Sequence, residues 1–131
     1  MLKIVLKPGE KVIIGGAVIK NGERPATLFI ENRVTLLREK DIMPEEEATT
    51  YCSKIYFVIQ LMYIDGKNIV RYHDLYWRLV SDLVEAVPRT TGLITQISQK
   101  LLEEDYYQAL KLAKKLLVFE KEVLKHAKNR Y

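Results

Sequence analysis

The chain lacks the residues from which most metal sites and disulfide frameworks are built. Among its 131 residues it has one cysteine, Cys52, and two histidines, His73 and His126. A single thiol forms no internal disulfide, and so few Cys and His side chains cannot assemble a zinc cluster. We therefore expect no metal and no nucleotide or covalent cofactor.

Long hydrophobic runs are also missing. The longest, from Ile55 to Ile64, is interrupted by Gln60, whereas a membrane-spanning helix needs about 20 apolar residues. The opening MLKIVLKPGEKVIIGG has lysines among its few apolar residues and no small-residue cleavage site, which is not the pattern of a secretory signal. These features predict a cytoplasmic protein without a transmembrane helix.

Catalytic patterns are equally scarce. His73 and Asp74 are neighbours on a predicted helix and so point in different directions. Cys52 lies near the start of a predicted buried helix, where a small hydrophobic residue is expected. Gly15-Gly16 has no GK[ST] sequence after it and is no phosphate-binding loop. We predict that the protein is not an enzyme.

What the chain does contain is typical of a globular protein with a moderate positive charge. Hydrophobic residues make up 48% and charged residues 29%, and the net charge is +4. Residues 111–130 carry seven basic side chains against two acidic ones. This basic C-terminal end is compatible with a nucleic-acid partner without requiring one, because a charge run is usually a solvated helix face.

The first third of the chain alternates with a period of two, which is typical of strands. Turn residues separate the runs, as at Pro8-Gly9-Glu10 and Gly15-Gly16. Asn21-Gly22 fits a type I′ hairpin turn. The predicted strands cover residues 2–7, 11–14, 17–20, 27–31 and 34–38. We expect a small antiparallel sheet or barrel that packs on the helices or on a second copy of itself.

After an acidic loop at residues 43–47 the apolar positions recur every three to four residues, which predicts helices. The first helix starts at Thr49 or Thr50 and ends near Ile64, and Asp105 caps the last one. Further helices are predicted from Tyr72 to residue 87, near 93–102 and over 105–128. The sequence thus predicts an α+β fold. A β unit covers residues 1–44 and a unit of about four helices covers 45–131, able to pack as one compact domain.

Four segments spread along the chain resemble the FlbT family. They are LKPGEKVIIGGAVIKNG (6–22), LLREKDIM (36–43), KIYFVIQLMYID (54–65) and DYYQALKLAKKLL (105–117). That family is known as a post-transcriptional regulator of flagellum biogenesis. It associates with the 5′ untranslated region of flagellin mRNA and promotes its degradation. The resemblance implies that this chain is a flagellin-mRNA repressor.

The β region is also similar, more weakly, to the CsrA family of dimeric RNA-binding regulators. MLKIVLKPGEKVIIG matches the start of that family, and VTLLREKDI is similar to its last strand. There, two adjacent basic residues and a late arginine hold a GGA motif of an RNA loop. The matching positions here are Leu6, Lys7 and Arg38, so Leu6 departs from the pattern. The resemblance implies that Lys7 and Arg38 contact RNA, and the alternative is that Arg38 pairs with a surface acid.

Two further residues complete the predicted RNA surface. Lys3 adds a cation on the first strand, and Phe29 lies on the polar face of its strand, where its ring can stack on a base. Tyr51 is a second aromatic candidate, and Phe29 fits equally well beneath the helices. The alternative function is a protein-interaction module. It would bind flagellin or another flagellar assembly protein through the helices at 72–87 and 105–128, and so affect the mRNA indirectly.

Overall fold

A computed structural model describes the backbone of residues 1–129 and the side chains of residues 1–126. Five strands precede four α-helices in this part of the chain, so the predicted α+β fold class is confirmed. The strands are β1 (Leu2–Leu6), β2 (Lys11–Ile14), β3 (Ala17–Lys20), β4 (Ala26–Ile30) and β5 (Leu36–Arg38). The helices are α1 (Tyr51–Ile64), α2 (Ile69–Ala86), α3 (Thr91–Leu102) and α4 (Tyr106–Asn129).

The predicted helix caps are confirmed. The Thr50 hydroxyl accepts a hydrogen bond from the backbone N–H of Ser53 at 3.1 Å, and the Ser53 hydroxyl accepts one from the N–H of Thr50 at 2.8 Å. This reciprocal capping box fixes the start of α1. At α4, the Asp105 carboxylate accepts from the N–H of Gln108 at 3.2 Å. Helix α2 begins at Ile69, three residues before its predicted start.

The strands form two antiparallel sheets instead of one. β1 pairs with β4, from Leu2 opposite Ile30 to Leu6 opposite Ala26. β2 is the central strand of the other sheet, between β3 and β5. The chain therefore passes from β1 in the first sheet to the β2–β3 hairpin in the second, then back to β4 in the first sheet and β5 in the second.

The predicted hairpin at Asn21-Gly22 is wrong. β3 pairs with β2, and the two-residue loop that joins them is Gly15-Gly16, whose φ angles are 57° and 85°. A type I′ turn needs positive φ at both central positions, which two glycines supply without steric cost. The Asn21 amide instead donates to the carbonyl oxygens of Lys7 at 2.9 Å and Arg24 at 2.9 Å.

Residues 1–42 form a compact unit with a small core between the two sheets. Ile4 and Leu6 of β1 pack with Val12 of β2, all three at least 95% buried. Partly buried apolar side chains surround them, namely Ile14, Leu28 and Leu36. Because strand side chains alternate, the inward direction of Ile4 and Leu6 turns Lys3 and Val5 outward.

The residues from Met43 onward form a second compact unit, centred on α1. Helix α1 packs against α2 and α4, and α3 packs against α4. The Gln60 side-chain amide, which is 3% exposed, donates to the carbonyl oxygen of Met43 at 3.0 Å and accepts from its N–H at 2.8 Å. These two hydrogen bonds hold Met43, the first residue of this unit, against helix α1. None of the helices in residues 1–129 is long and apolar enough to cross a membrane.

A side chain at Gly15 should destabilise the β unit. A Cβ atom there would lie 3.0 Å from a methyl carbon of Val34, and the residue has φ of 57°. We expect Gly15→Ala to lower the free energy of unfolding of the β unit by about 1–2 kcal/mol, because a left-handed conformation disfavours a Cβ. Amide hydrogen exchange in β2 and β3 measures this change.

The matched control is Gly22→Ala. A Cβ at Gly22 has open space within 4 Å, and its φ is not positive. This variant should leave the exchange rates close to those of the unchanged chain. Equal protection in both variants would show that the Gly15 conformation is not a constraint.

Candidate nucleic-acid interface

The structure brings Lys3 and Phe29 together. They are directly opposite in the β1–β4 pair, at the centre of an exposed sheet face that we call the β1–β4 face, made of Lys3, Val5, Thr27 and Phe29. The Phe29 side chain is 57% exposed, so it does not pack beneath other elements. Opposite residues of an antiparallel pair have Cβ atoms about 5 Å apart. A cation and an aromatic ring are thus neighbours on the surface.

Lys7 and Arg38 meet at a second place, around the Glu10 carboxylate. One oxygen of Glu10 accepts from the backbone N–H of Lys7 at 2.9 Å. The other accepts from Nη2 of Arg38 at 3.1 Å. These residues lie beside a cleft of about 610 Å³, which we call the Glu10 cleft and which Val5, Pro8, Gly9, Glu39 and Lys40 also line. Its exposed cations are Lys7 and Lys40.

Arg38 is less available for RNA than its matched position implies. Its Nη2 also donates to the carbonyl oxygen of Val5 at 3.0 Å, so both Nη2 protons are used within the protein. The Nε atom is buried and has no hydrogen-bond partner. Arg38 therefore pairs with an acid, as the alternative reading of the sequence expected. Only its Nη1 edge remains for a ligand.

The hydrogen bonds at Glu10 lower the pKa of its carboxyl group from the ordinary value. The backbone N–H of Lys7 is the main cause, and the Arg38 guanidinium is the next. A carboxyl group whose pKa is lower in the folded state stabilises that state above its ordinary pKa, and this contribution is lost as the pH falls. The hydrogen bonds at Glu10 therefore contribute to the stability of the folded state at neutral pH, and this contribution is lost in acid.

The two clusters share strand β1. Lys3 and Val5 lie on β1 and Lys7 directly follows the strand, so about 13 Å of extended chain separates the two lysines at 3.3 Å per residue. Val5 belongs to both clusters, since it faces outward beside Thr27 and also lines the Glu10 cleft. The β1–β4 face and the Glu10 cleft therefore adjoin at Val5, and we call the two together the exposed strip of the β unit.

The other predicted candidates lie in the helical unit. Tyr51, at the start of α1, is 45% exposed. Lys121 and Lys125 are exposed on α4, and Lys111 lies 4.9 Å from the centre of the Tyr107 ring. The side chains of Lys128 and Arg130 lie outside the described residues.

Sequence reasoning missed the organising role of Glu10, which it took as part of a turn. The signal was present, because a glutamate three residues after Lys7 across Pro8-Gly9 can reach back to the Lys7 amide. Its pairing with Arg38 joins residues 28 positions apart and was invisible in the local pattern. Within the described residues no group of three or more His, Cys, Asp or Glu side chains could hold a metal ion.

The fold and the site together define a class, namely a small α+β protein whose β unit exposes a strip of cations beside an aromatic ring. Comparison with known proteins identifies the family. The model of the family described as "Flagellar protein FlbT" matches residues 2–124. The chain belongs to the FlbT family.

Relatives cover nearly the whole chain. The flagellum biosynthesis repressor protein FlbT of Caulobacter vibrioides is 36% identical over 127 residues, which are 95% of this chain and 90% of that protein. A protein of Bradyrhizobium diazoefficiens, named probable flagellum biosynthesis repressor protein FlbT 1, is 41% identical over 93% of this chain and 84% of its own length. The Caulobacter strain K31 protein of similar name is 38% identical over 95% and 97%, respectively. No solved structure matches this chain significantly.

The Glu10 carboxyl group should titrate below the ordinary glutamate pKa. Arg38→Gln should raise the pKa only in part, because the Lys7 N–H is the larger cause and remains. A carbon-detected NMR titration of the Glu10 side chain measures both values. Arg33→Gln, an exposed arginine outside the cleft, is the control and should leave the pKa unchanged. An ordinary pKa in the unchanged chain would contradict this geometry.

Proposed function

We propose that this chain represses flagellum biosynthesis after transcription, by binding the 5′ untranslated region of flagellin mRNA and promoting its degradation. Family membership supports the repressor part, since the relatives carry that name. The exposed strip of the β unit supports the RNA part. The proposal places the protein in the cytoplasm, with the mRNA.

The observation that carries the RNA part is the exposed pair of Lys3 and Phe29. A phenylalanine that is 57% exposed on a regular strand is not stabilising a core. Single-stranded RNA is recognised by stacking its bases on such rings, and neighbouring cations contact the phosphates. Lys3 stands directly across from Phe29 in the strand register and supplies the neighbouring cation.

The Glu10 cleft extends this surface with three cations. Lys7 and Lys40 are exposed and provide point charges for phosphates. The free Nη1 edge of Arg38 can donate to a phosphate or to a base acceptor. Since its Nη2 is engaged by Glu10, reading of guanine by both terminal nitrogens would require that ion pair to open.

Binding of purified protein to a flagellin leader RNA across a salt series tests the proposal. Phe29→Ala should weaken binding by about 1–3 kcal/mol because one stacked base is lost. Arg38→Ala should cost a similar amount if its free edge contacts a base. Lys3→Ala and Lys7→Ala should each reduce the slope of log affinity against log salt by about 1.

The control is the double variant Lys121→Ala/Lys125→Ala on α4. It removes two exposed cations from the other unit and should cost less than Phe29→Ala. Loss of binding in this control, with unchanged binding in Phe29→Ala and Arg38→Ala, would move the site to the C-terminal helix. A salt-independent response of the whole series would exclude direct phosphate contacts.

A second candidate function is supported by a groove in the helical unit. Helices α1 and α2 form a cleft of about 670 Å³ lined by apolar side chains, including the partly buried Phe57 and Leu61 and the 44% exposed Leu75. Charged side chains of both signs also line it, namely Glu45, Lys54, Arg71, Asp74 and Arg78. Such a groove fits the apolar face of a helix of flagellin or another assembly protein. Helix α4 takes no part in the lining.

Binding of purified flagellin separates the two candidates. If the groove is the functional site, Leu75→Lys abolishes flagellin binding while leader-RNA binding is unchanged. Leu102→Lys is the matched control, because Leu102 is 71% exposed on α3 and lies outside the groove. If the unchanged chain does not bind flagellin, this candidate function is excluded.

A further inference from the structure

Strand β4 has one unpaired edge. It forms its ladder with β1, and β1 is the only element of the described chain that it contacts extensively. Its other edge makes no backbone hydrogen bond within the described residues. An open edge presents a row of N–H and C=O groups that another strand can pair with.

The sequence of β4 leaves this edge unprotected. Proteins usually guard open edges with charged side chains or proline. Among the five strands of residues 1–42, β4 is the only one without a charged residue, since β1, β2, β3 and β5 carry Lys3, Lys11, Lys20 and Arg38. Pro25 precedes the strand and lies outside its five paired residues.

We propose that β4 pairs with β4 of a second copy of this chain, forming a four-stranded antiparallel sheet in the order β1–β4–β4–β1. The two-fold axis passes beside Leu28, so that Leu28 lies opposite its own copy. Thr27 then faces Phe29 of the partner copy, and Ala26 faces Ile30. This register pairs all five residues and keeps each side chain on its present face, whereas a shift by two residues loses two of the five pairs.

A second copy fits this edge better than another strand does. When two copies of one strand pair about a two-fold axis, a charged residue near the axis lies close to the same residue of the other copy and is repelled by it. Strand β4 has no charged residue, so this repulsion does not arise. The interface closes on itself around the two-fold axis, so it yields a dimer and no filament. A unit of 42 residues with so small a core is also of the size that commonly gains stability from association.

The dimer would double the proposed RNA surface, an aspect that rests on the proposed function. Across the joined sheet the exposed row reads Lys3, Phe29, then Thr27 and Val5 of the partner copy. The two Phe29 residues occupy diagonal positions on neighbouring strands, about 7–8 Å apart. Two stacking rings and two lysines would thus lie on one continuous face.

Sedimentation equilibrium of the full chain tests the pairing without RNA. The expected mass is twice the chain mass of 15.3 kDa. Thr27→Glu/Phe29→Glu places two carboxylates opposite each other on both sides of the axis and should give a monomer. Thr27→Lys/Phe29→Glu places opposite charges there and should remain a dimer. Both variants put the same carboxylate across from Lys3, so they differ only at position 27.

Two further outcomes would overturn the proposal. One is a monomeric unchanged chain at concentrations of tens of micromolar. The other is equal mass of the two charge variants. Val18→Lys on the open edge of β3, where Val18 is 70% exposed, should leave the dimer intact. Dissociation by Val18→Lys alone would assign the dimer to β3 and also overturn the proposal.

Cysteine cross-linking tests the register. A mixture of Thr27→Cys and Phe29→Cys chains should form a disulfide, since the two positions are directly opposite. Each variant alone should not, because its cysteines are diagonal and too far apart. Cys52 does not compete, since burial, followed by the nearby Glu120, raises its pKa to about 12. Cross-linking of either variant by itself would overturn this register.

The dimer and the RNA function fail separately. If the chain is a dimer that does not bind leader RNA, the strand pairing stands and the proposed RNA function fails. If the chain is a monomer that binds leader RNA through Phe29, the RNA function stands and the strand pairing fails.

Discussion

The alternation of side chains along β1 is the constraint on which the β unit depends. Ile4 and Leu6 point inward and form most of the small core with Val12, so Lys3 and Val5 must point outward. The register with β4 then places Phe29 across from Lys3 and Leu28 against the core. A slip of one residue would bury the lysine and expose the core, which no stable arrangement of so few apolar residues tolerates.

The Glu10 ion pair shows how one arginine can serve structure and recognition at once. Arg38 shares a sheet face with Val12 and reaches the Val5 carbonyl of the other sheet, so it helps hold the two sheets together. Its engagement by Glu10 fixes the guanidinium and leaves one edge outward. A guanidinium held in place loses less conformational entropy when it binds a ligand. Because Nη2 of Arg38 already donates within the protein, fewer of its N–H groups are left to contact a base.

The helical unit follows a different rule. Helix α1 is apolar on nearly all sides because it lies between α2 and α4, and it begins at a capping box made by Thr50 and Ser53. Helix α2 is amphipathic instead, and its outer residues line the groove with Phe57 and Leu61. The buried Tyr76 hydroxyl is within 2.8 Å of the Ser98 hydroxyl, which ties α2 to α3, and burial raises the pKa of Tyr76 to about 12. One unit thus offers a charged strip and the other an apolar groove, and the two candidate functions divide along that line.

The sequence alone determined the α+β class, the five strands and the helix caps, because period, turn residues and capping side chains are local signals. Thr50, Asp105 and the outward position of Phe29 were all predictable from neighbours within a few residues. Tertiary structure decided which strands pair, moving the type I′ turn to Gly15-Gly16 and using the Asn21 amide elsewhere. It also decided that Arg38 meets Glu10 and that Lys3 meets Phe29, since these contacts join residues 28 and 26 positions apart. Such pairings depend on the packing of two sheets around a shared core, which no local pattern encodes.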